Sequence, residues 1–441
     1  MPKKKVYIET YGCQMNVADS EVMATILTEN GYVLSNQIDD ADLLLINTCA
    51  IRDHAEQRVL GRLDLFNSYK KKNKQIKIGI TGCMAERLKD SLFEKKPFID
   101  FIAGPDAYRN LPDILNTVET RQREIDTLLR KEETYEGIIP TRYNSNRFSA
   151  FISITRGCDN MCAYCIVPFT RGRERSRNPK DILNEIETVA NDNFKEVTLI
   201  GQNVDKYRFE NNGTITGFPQ LLDMVAEKFP HLRIRFSTSY PQDFTEEVVL
   251  VMKKHKNICR YIHLPVQSGS NKILDLMKRG YTREWYLDRI AMIRKHLPDC
   301  AISTDIISGF CDETETDHQD TLDLMRQVRY DYAFMFKYSE RPGTFAAKHL
   351  KDNVPDNVKS RRLNEIIELQ KQLSLESNKC DVGKSFKVLI EGISKKSDAY
   401  FFGRTSQNKI VVFPKENAHL YDIAEVVVTD YTSATLLGKL V

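Results

Sequence analysis

Three thiols in this chain stand close enough in sequence to share one inorganic centre. Cys158, Cys162 and Cys165 fall in Thr155-Arg156-Gly157-Cys158-Asp159-Asn160-Met161-Cys162-Ala163-Tyr164-Cys165, at a four-residue and then a three-residue step. One tight loop can aim all three sulfurs at a common point. Thiolate is a soft ligand that favours zinc or an iron–sulfur cluster over harder ions. A structural zinc site closes its tetrahedron with four Cys or His, whereas a cubane held by three cysteines keeps one iron open to an outside ligand. The spacing alone leaves a zinc knuckle or a group of buried thiols open as alternatives.

A second set of thiols is spread through the first hundred residues. The runs at 6–9, 43–46 and 76–80 read as strands, and each leads directly into a cysteine: Thr10-Tyr11-Gly12-Cys13, Asn47-Thr48-Cys49 and Thr81-Gly82-Cys83. Helix-like segments at about 19–30 and 52–72 separate them, giving β-α-β-α-β, which predicts a parallel, right-handed, doubly wound sheet. Such sheets bind ligands beyond the carboxyl ends of their strands, where Cys13, Cys49 and Cys83 all stand. Gly12 and Gly82 let the backbone turn closely around a bulky group. Three thiols packed as small hydrophobes would explain burial but not the repeated placement.

The rest of the chain must position these two groups. Its 441 residues suggest two or three domains, and 41% hydrophobic with 28% charged residues describes a soluble globular protein. No apolar run approaches a membrane span and Met1-Pro2-Lys3-Lys4-Lys5 begins no secretory signal, so a cytoplasmic protein is expected. Ten cysteines in that reducing compartment favour metal binding or catalysis over disulfides. Cys259, Cys300, Cys311 and Cys380 lack ligand-like spacing and read as structural. A net charge of +3 does not argue for nucleic acid. A loop beside the first cysteines does: Arg171, Arg173, Arg175 and Arg177 follow Arg156, against only Asp159 and Glu174, and suit phosphate.

The expected domains are 1–120, a charged connector at 121–142, a central unit at 143–375 and a C-terminal unit at 378–441. In the connector 121–136 has few apolar anchors, and 140–146 reads as a turn-rich link. The central unit carries strands near 151–154, 196–200, 232–236, 260–264, 301–307 and 331–336, with helices such as 180–190 and 283–296. Six parallel βα units are two short of a full barrel. Side chains at strand ends suit a polar cofactor: Gln202 and Asn203 after the second strand, Ser239 after the third, Gln267 after the fourth. His263 reads as a hydrogen-bonded structural residue. A helix at 358–379 is expected to pack back on the barrel through Leu363, Ile366, Ile367, Leu369 and Leu373. Five short strands from Ser385 to Leu440 then suggest a small OB-like β-barrel.

Cys-x3-Cys-x2-Cys with Tyr164 before the last Cys resembles the signature of the radical S-adenosylmethionine (SAM) enzymes. The resemblance implies a partial (β/α)6 barrel, a [4Fe-4S] cluster whose open iron chelates SAM, and Tyr164 against the adenine. The stretches around Cys13, Cys49 and Cys83 resemble the N-terminal domain of the methylthiotransferases, which implies a second, auxiliary [4Fe-4S] cluster on those three cysteines. The motifs holding Gln202, Asn203, Ser239 and Gln267 match that family, as does Arg341-Pro342-Gly343-Thr344, which brings Arg341 to cofactor or phosphate. Ser303 to Thr314 also matches, except that Cys311 and Asp312 replace Pro and Gly, which puts the local turn in doubt. Phe401-Phe402-Gly403-Arg404-Thr405 resembles the TRAM domain and implies RNA binding through Arg404, although 379–441 has only nine basic against seven acidic residues.

The implied activity is methylthiolation of carbon-2 of N6-isopentenyladenosine beside the tRNA anticodon. One SAM methylates a sulfur at the auxiliary cluster, and a second yields the 5′-deoxyadenosyl radical that removes hydrogen from the base. A flavodoxin- or ferredoxin-like electron donor, the anticodon stem-loop as partner and a monomeric state complete the expectation. Threonylcarbamoyladenosine in tRNA or a ribosomal-protein aspartate are the alternative substrates, and a non-catalytic iron–sulfur RNA-binding protein is the alternative class.

Overall fold

The computed structural model describes residues 3–49, 53–120, 122–143 and 148–441. Residue 52 of the expected helix 52–72, residue 121 of the connector and 144–147, which overlap the expected link, lie outside them. Strands β1 (Lys5–Thr10), β2 (Val33–Leu34), β3 (Leu43–Thr48), β4 (Lys77–Gly82), β5 (Phe101–Ala103) and β6 (Glu124–Asp126) form one sheet in the order β2-β1-β3-β4-β5-β6. All neighbours in it are parallel. Period-two alternation makes it doubly wound. Leu43 and Leu45 pack under the helices Gln14–Glu29 and Leu111–Glu119. Leu44 and Ile46 pack on the opposite face with Val59, Leu63 and Phe66 of the helix Asp53–Lys72. The charged connector contributes β6, which pairs with β5 and extends the sheet.

The central unit consists of two parallel three-stranded sheets. β7 (Ser149–Ser153) leads to a small antiparallel ladder of β8 (Thr155–Arg156) with β9 (Arg175–Ser176), which ties off the cysteine loop at its base. After β10 (Glu196–Ile200) comes a hairpin of β11 (Arg208–Asn211) and β12 (Thr214–Gly217). β13 (Arg233–Phe236), β14 (Tyr261–His263), β15 (Ala301–Ser308) and β16 (Tyr332–Lys337) complete the unit. The orders are β13-β10-β7 and β14-β15-β16, and a parallel bridge between Ile234 and Ile258 joins the halves. Six parallel strands with outer helices are the partial barrel the sequence predicts.

The helix Asp356–Lys379 buries Ile366 and Leu373 in the barrel core, with Leu369 partly buried beside them. Strands β17 (Ser385–Ile393), β18 (Tyr400–Arg404), β19 (Ile410–Pro414), β20 (Ile423–Tyr431) and β21 (Leu436–Leu440) close a barrel in the order β17-β18-β19-β21-β20. Its core holds Val388, Ile390, Phe401, Val411, Phe413, Val426 and Leu436. This unit docks on the starts of the central strands. Arg233 and Arg235 donate to the carbonyls of Arg404 and Thr405 at 2.7–3.0 Å. The chain turns at Cys311 and Asp312, where the Glu313 amide donates to the Phe310 carbonyl at 3.0 Å: Asp312 takes φ +60°, which its short polar side chain tolerates, and its amide donates to Asn353 Oδ1 at 2.9 Å.

Candidate active site with two cysteine triads on one cavity

Cys13, Cys49, Cys83, Cys158, Cys162 and Cys165 all line a single cavity of about 1850 Å³. It runs from the ends of β1 and β3 through the central barrel to Arg404, Gln407 and Lys409 of the C-terminal barrel. The walls are thus drawn from all three units.

Cys158, Cys162 and Cys165 sit on the loop between β8 and the helix Val167–Arg171. Gly157, at φ +75°, passes so close to the Arg173 carbonyl that an added Cβ would lie 2.0 Å from it. Only glycine lets β8 and β9 close the loop. Burial pushes the Cys158 thiol up to about 11 and the Cys165 thiol to about 12. Such thiols stay protonated in water but lose their protons to a bound metal. Arg279, 4% exposed, donates from Nη1 to Cys162 Sγ and to Tyr164 Oη, each at 3.3 Å. Its Nη2 meets the Pro265 carbonyl at 2.9 Å, and its guanidinium stacks 4.4 Å from the centre of the Tyr240 ring. No carboxylate pairs with it among the described residues, so its charge is directed at the sulfurs.

The N-terminal trio is held by a buried amide network. Cys13 Sγ donates to Asn16 Oδ1 at 3.3 Å, and Asn16 Nδ2 donates to Asn47 Oδ1 and to the Thr48 carbonyl, both at 3.1 Å. Asn47 Nδ2 returns to the Asn16 carbonyl at 2.8 Å and to Ser20 Oγ at 2.9 Å. Gly82, at φ +90°, lets the third cysteine loop lie against the second, since a Cβ there would meet the Thr48 carbonyl at 2.5 Å. The glycines therefore pack the loops against one another. A hydrogen bond with Cys49 draws the Cys13 thiol down to about 6 against the opposing effect of burial, and the Arg171 charge adds to that. Burial raises Cys83, which Arg171 opposes.

Both sets fit the soft, partly ligated cluster that the family resemblance implies. Each offers three thiols on the cavity, and near them are buried polar atoms with no protein partner among the described residues. Gln202 Oε1 and Asn203 Oδ1 are unpaired acceptors at the end of β10, and Arg171 Nη1 is an unpaired donor near Cys83.

Three family models cover most of the chain: the Uncharacterized protein family UPF0004 at 5–104, the Radical SAM superfamily at 152–325 and the TRAM domain at 379–441. The chain is 56% identical over 99% of its length to the tRNA-2-methylthio-N(6)-dimethylallyladenosine synthase of Phocaeicola vulgatus, covering 96% of that protein. It is 54% identical to the synthase of the same name from Bacteroides thetaiotaomicron, over 99% of this chain and 96% of that one. The chain belongs to the tRNA-2-methylthio-N(6)-dimethylallyladenosine synthase family of radical SAM methylthiotransferases. Among solved structures it resembles the radical SAM methyltransferase TsrM from Kitasatospora setae at TM-score 0.60 and 13% identity, over 78% of this chain and 75% of that one. The cobalamin-dependent SAM radical enzyme OxsB follows at TM-score 0.54 and 15% identity, over 84% and 61%. These two neighbours support the fold.

Tyr164, Gln202, Ser239 and Gln267 line the cavity with the six cysteines. Gln267 and Thr238 are held at φ +76° and +75°, a strained conformation for residues other than glycine. Asn203 is tied by Nδ2 to Asp243 at 2.7 Å, and Ser239 Oγ to Asp205 at 3.3 Å. Arg341 is half-buried and interacts electrostatically with Cys49 of the N-terminal trio. His263 bonds through Nδ1 to Ser303 Oγ at 2.9 Å.

Three of the arginines expected to meet RNA are instead buried. Arg171, Arg175 and Arg177 are buried in ion pairs with Asp19 at 2.8 Å, Asp106 at 2.7 Å and Glu185 at 2.6 Å. A guanidinium out of water is costly unless paired, and here Asp19 and Asp106 of the N-terminal unit and Glu185 of the helix Pro179–Asn191 supply the pairs. Only Arg173, with 74% of its side chain exposed, and Arg404, at 44%, keep accessible heads, opposite Asp159 and Glu391. Arg279, Asp19, Asn16 and Asn47 are the site residues that sequence reasoning missed. Asn47 stands two residues before Cys49 and Asn16 three residues after Cys13, a closeness that could have marked them; Arg279 carried no such signal.

Proposed function

We propose that this protein methylthiolates carbon-2 of N6-isopentenyladenosine (dimethylallyladenosine) beside the tRNA anticodon, using one SAM as methyl donor and a second for radical formation. The observation that carries this reading is that both cysteine triads open on the same cavity, so that sulfur carrier and radical source address one substrate. Cys158, Cys162 and Cys165 would hold the SAM-binding [4Fe-4S] cluster, and Cys13, Cys49 and Cys83 the auxiliary one. When bound, clusters and SAM supply carbon–hydrogen cleavage and the methylthio group, chemistry that the side chains alone lack.

The chain's own residues orient these groups. Tyr164, Gln202, Asn203, Ser239 and Gln267 line or brace the SAM side. Arg279 places positive charge on the radical loop, and Arg341 places it near Cys49. Arg173 and Arg404 supply phosphate contacts at the rim. A cytoplasmic, monomeric enzyme served by a small flavodoxin- or ferredoxin-like reductant completes the proposal.

The test uses reconstituted enzyme, dithionite and SAM labelled in its methyl group. Label should enter tRNA that carries isopentenyladenosine and not the same tRNA made without the isopentenyl group. Equal labelling of both would overturn the substrate assignment.

A further inference from the structure

Arg171 lies six residues beyond Cys165 in sequence, yet its side chain serves the other triad. The helix Val167–Arg171 packs on the helix Cys83–Leu88, with Ile166 against Cys83. Nε of Arg171 donates to Cys83 Sγ at 3.1 Å, and Nη2 donates to Asp19 Oδ2 at 2.8 Å. The side chain is 3% exposed. Its third nitrogen, Nη1, is buried with no partner among the described residues. A buried guanidinium donor without a partner is destabilising, and an acceptor outside the protein would satisfy this one. A cluster on Cys13, Cys49 and Cys83 brings sulfide acceptors into the same cavity, which Arg171 also lines.

Asp19 holds the arginine in place from its far side. Its other oxygen accepts from Arg156 Nη1 at 2.7 Å. Arg156 is itself fixed by the Pro105 carbonyl at 3.0 Å and by the face of Tyr135 at 4.7 Å. The guanidinium therefore cannot turn away from Cys83 without breaking a buried ion pair. Hydrogen bonds and positive charge at cluster sulfurs stabilise the reduced form.

We propose that Arg171 is a positioning residue of the N-terminal cluster: it donates through Nε to the Cys83 sulfur and through Nη1 to a cluster sulfide, and makes that cluster easier to reduce. The proposal rests on the reading of Cys13, Cys49 and Cys83 as cluster ligands.

The experiment uses the full chain with Cys158, Cys162 and Cys165 replaced by Ala, so that only the N-terminal cluster gives a signal. It is reconstituted anaerobically with iron and sulfide, with arginine labelled by 15N in the guanidinium. In the reduced cluster, pulsed EPR should detect a 15N coupling that disappears in R171K and R171M. The reduction midpoint should move to more negative potential in both variants, further in R171M. No coupling in the parent would overturn the proposal, as would a coupling that survives in R171K and so belongs to another arginine such as Arg341. An unchanged midpoint in an iron-replete R171M would overturn it too. If R171M holds no iron, the parent and R171K decide. A parent that assembles no cluster at all would overturn the ligand reading itself, a failure told apart by its iron content.

Discussion

Asp19 Oδ1 accepts from Arg156 Nη1 at 2.7 Å, joining the helix that follows the first N-terminal cysteine to the strand that leads into Cys158. The same carboxylate also holds Arg171. A single buried anion thus fixes the N-terminal sheet against the radical loop and the helix after it.

Removing that anion leaves two buried guanidinium groups without their counter-charge. Asp19→Ala should cost about 3–5 kcal/mol, read by urea unfolding of the metal-free protein through Trp285, its single tryptophan. Burial works to raise the Asp19 pKa, but Arg156 and Arg171 outweigh it and hold it below the ordinary carboxylate value of 3.8. The stability it contributes is therefore complete above about pH 4 and lost only as pH falls through the lower folded value. A loss within about 0.5 kcal/mol, the range of an inconsequential surface change, would contradict this role.

The two triads should separate by substitution. Cys158→Ala should abolish 5′-deoxyadenosine formation while the N-terminal trio still holds iron. Cys49→Ala should keep SAM cleavage and lose sulfur insertion. Product release and iron content measured on the two proteins check both statements, and intact insertion in Cys49→Ala would remove the sulfur-carrier role.

RNA affinity should depend on Arg173 and Arg404 and not on the other arginines of the loop. Each of Arg173→Ala and Arg404→Ala should lower the salt dependence of tRNA binding by about one unit of slope. Arg175→Ala and Arg177→Ala should instead lower the unfolding temperature, because they unpair Asp106 and Glu185. Filter binding across a salt series, with thermal melts beside it, distinguishes the two outcomes.

Asp205 gives a pH signature of opposite sign to Asp19. Burial raises its pKa from 3.8 to about 8, although the Tyr240 amide and Ser239 hydroxyl donate to it. With the folded value above the unfolded one, its contribution is complete below about pH 4 and lost as pH rises through about 8. In that window it contributes at most about 1.4 kcal/mol per pH unit. Asp205→Asn should flatten the fall in stability from pH 5.5 to 8.5 in urea titrations of the metal-free protein. Parallel slopes in the two proteins would contradict the shift.

The strand-end cysteines and the six-strand centre were legible because period and position both carry signal: apolar runs end at Cys13, Cys49 and Cys83, and alternating leucines turn to two faces. The fate of the arginine loop was not. Charge density along the chain cannot show that Asp19, Asp106 and Glu185 fold back onto it, since two of these anions lie in the N-terminal unit. β6 was hidden for a related reason: three residues paired along one edge need no hydrophobic pattern. Arg279 stands in an ordinary helix-to-helix turn, Met277-Lys278-Arg279-Gly280, and only the folded barrel brings it to Cys162.

The most direct test of the central claim is mass analysis of nucleosides after anaerobic incubation of the reconstituted protein with SAM, reductant and tRNA bearing N6-isopentenyladenosine. The account predicts its 2-methylthio derivative, formed with one 5′-deoxyadenosine per product. Cleavage of SAM with the isopentenyladenosine recovered unchanged would contradict it.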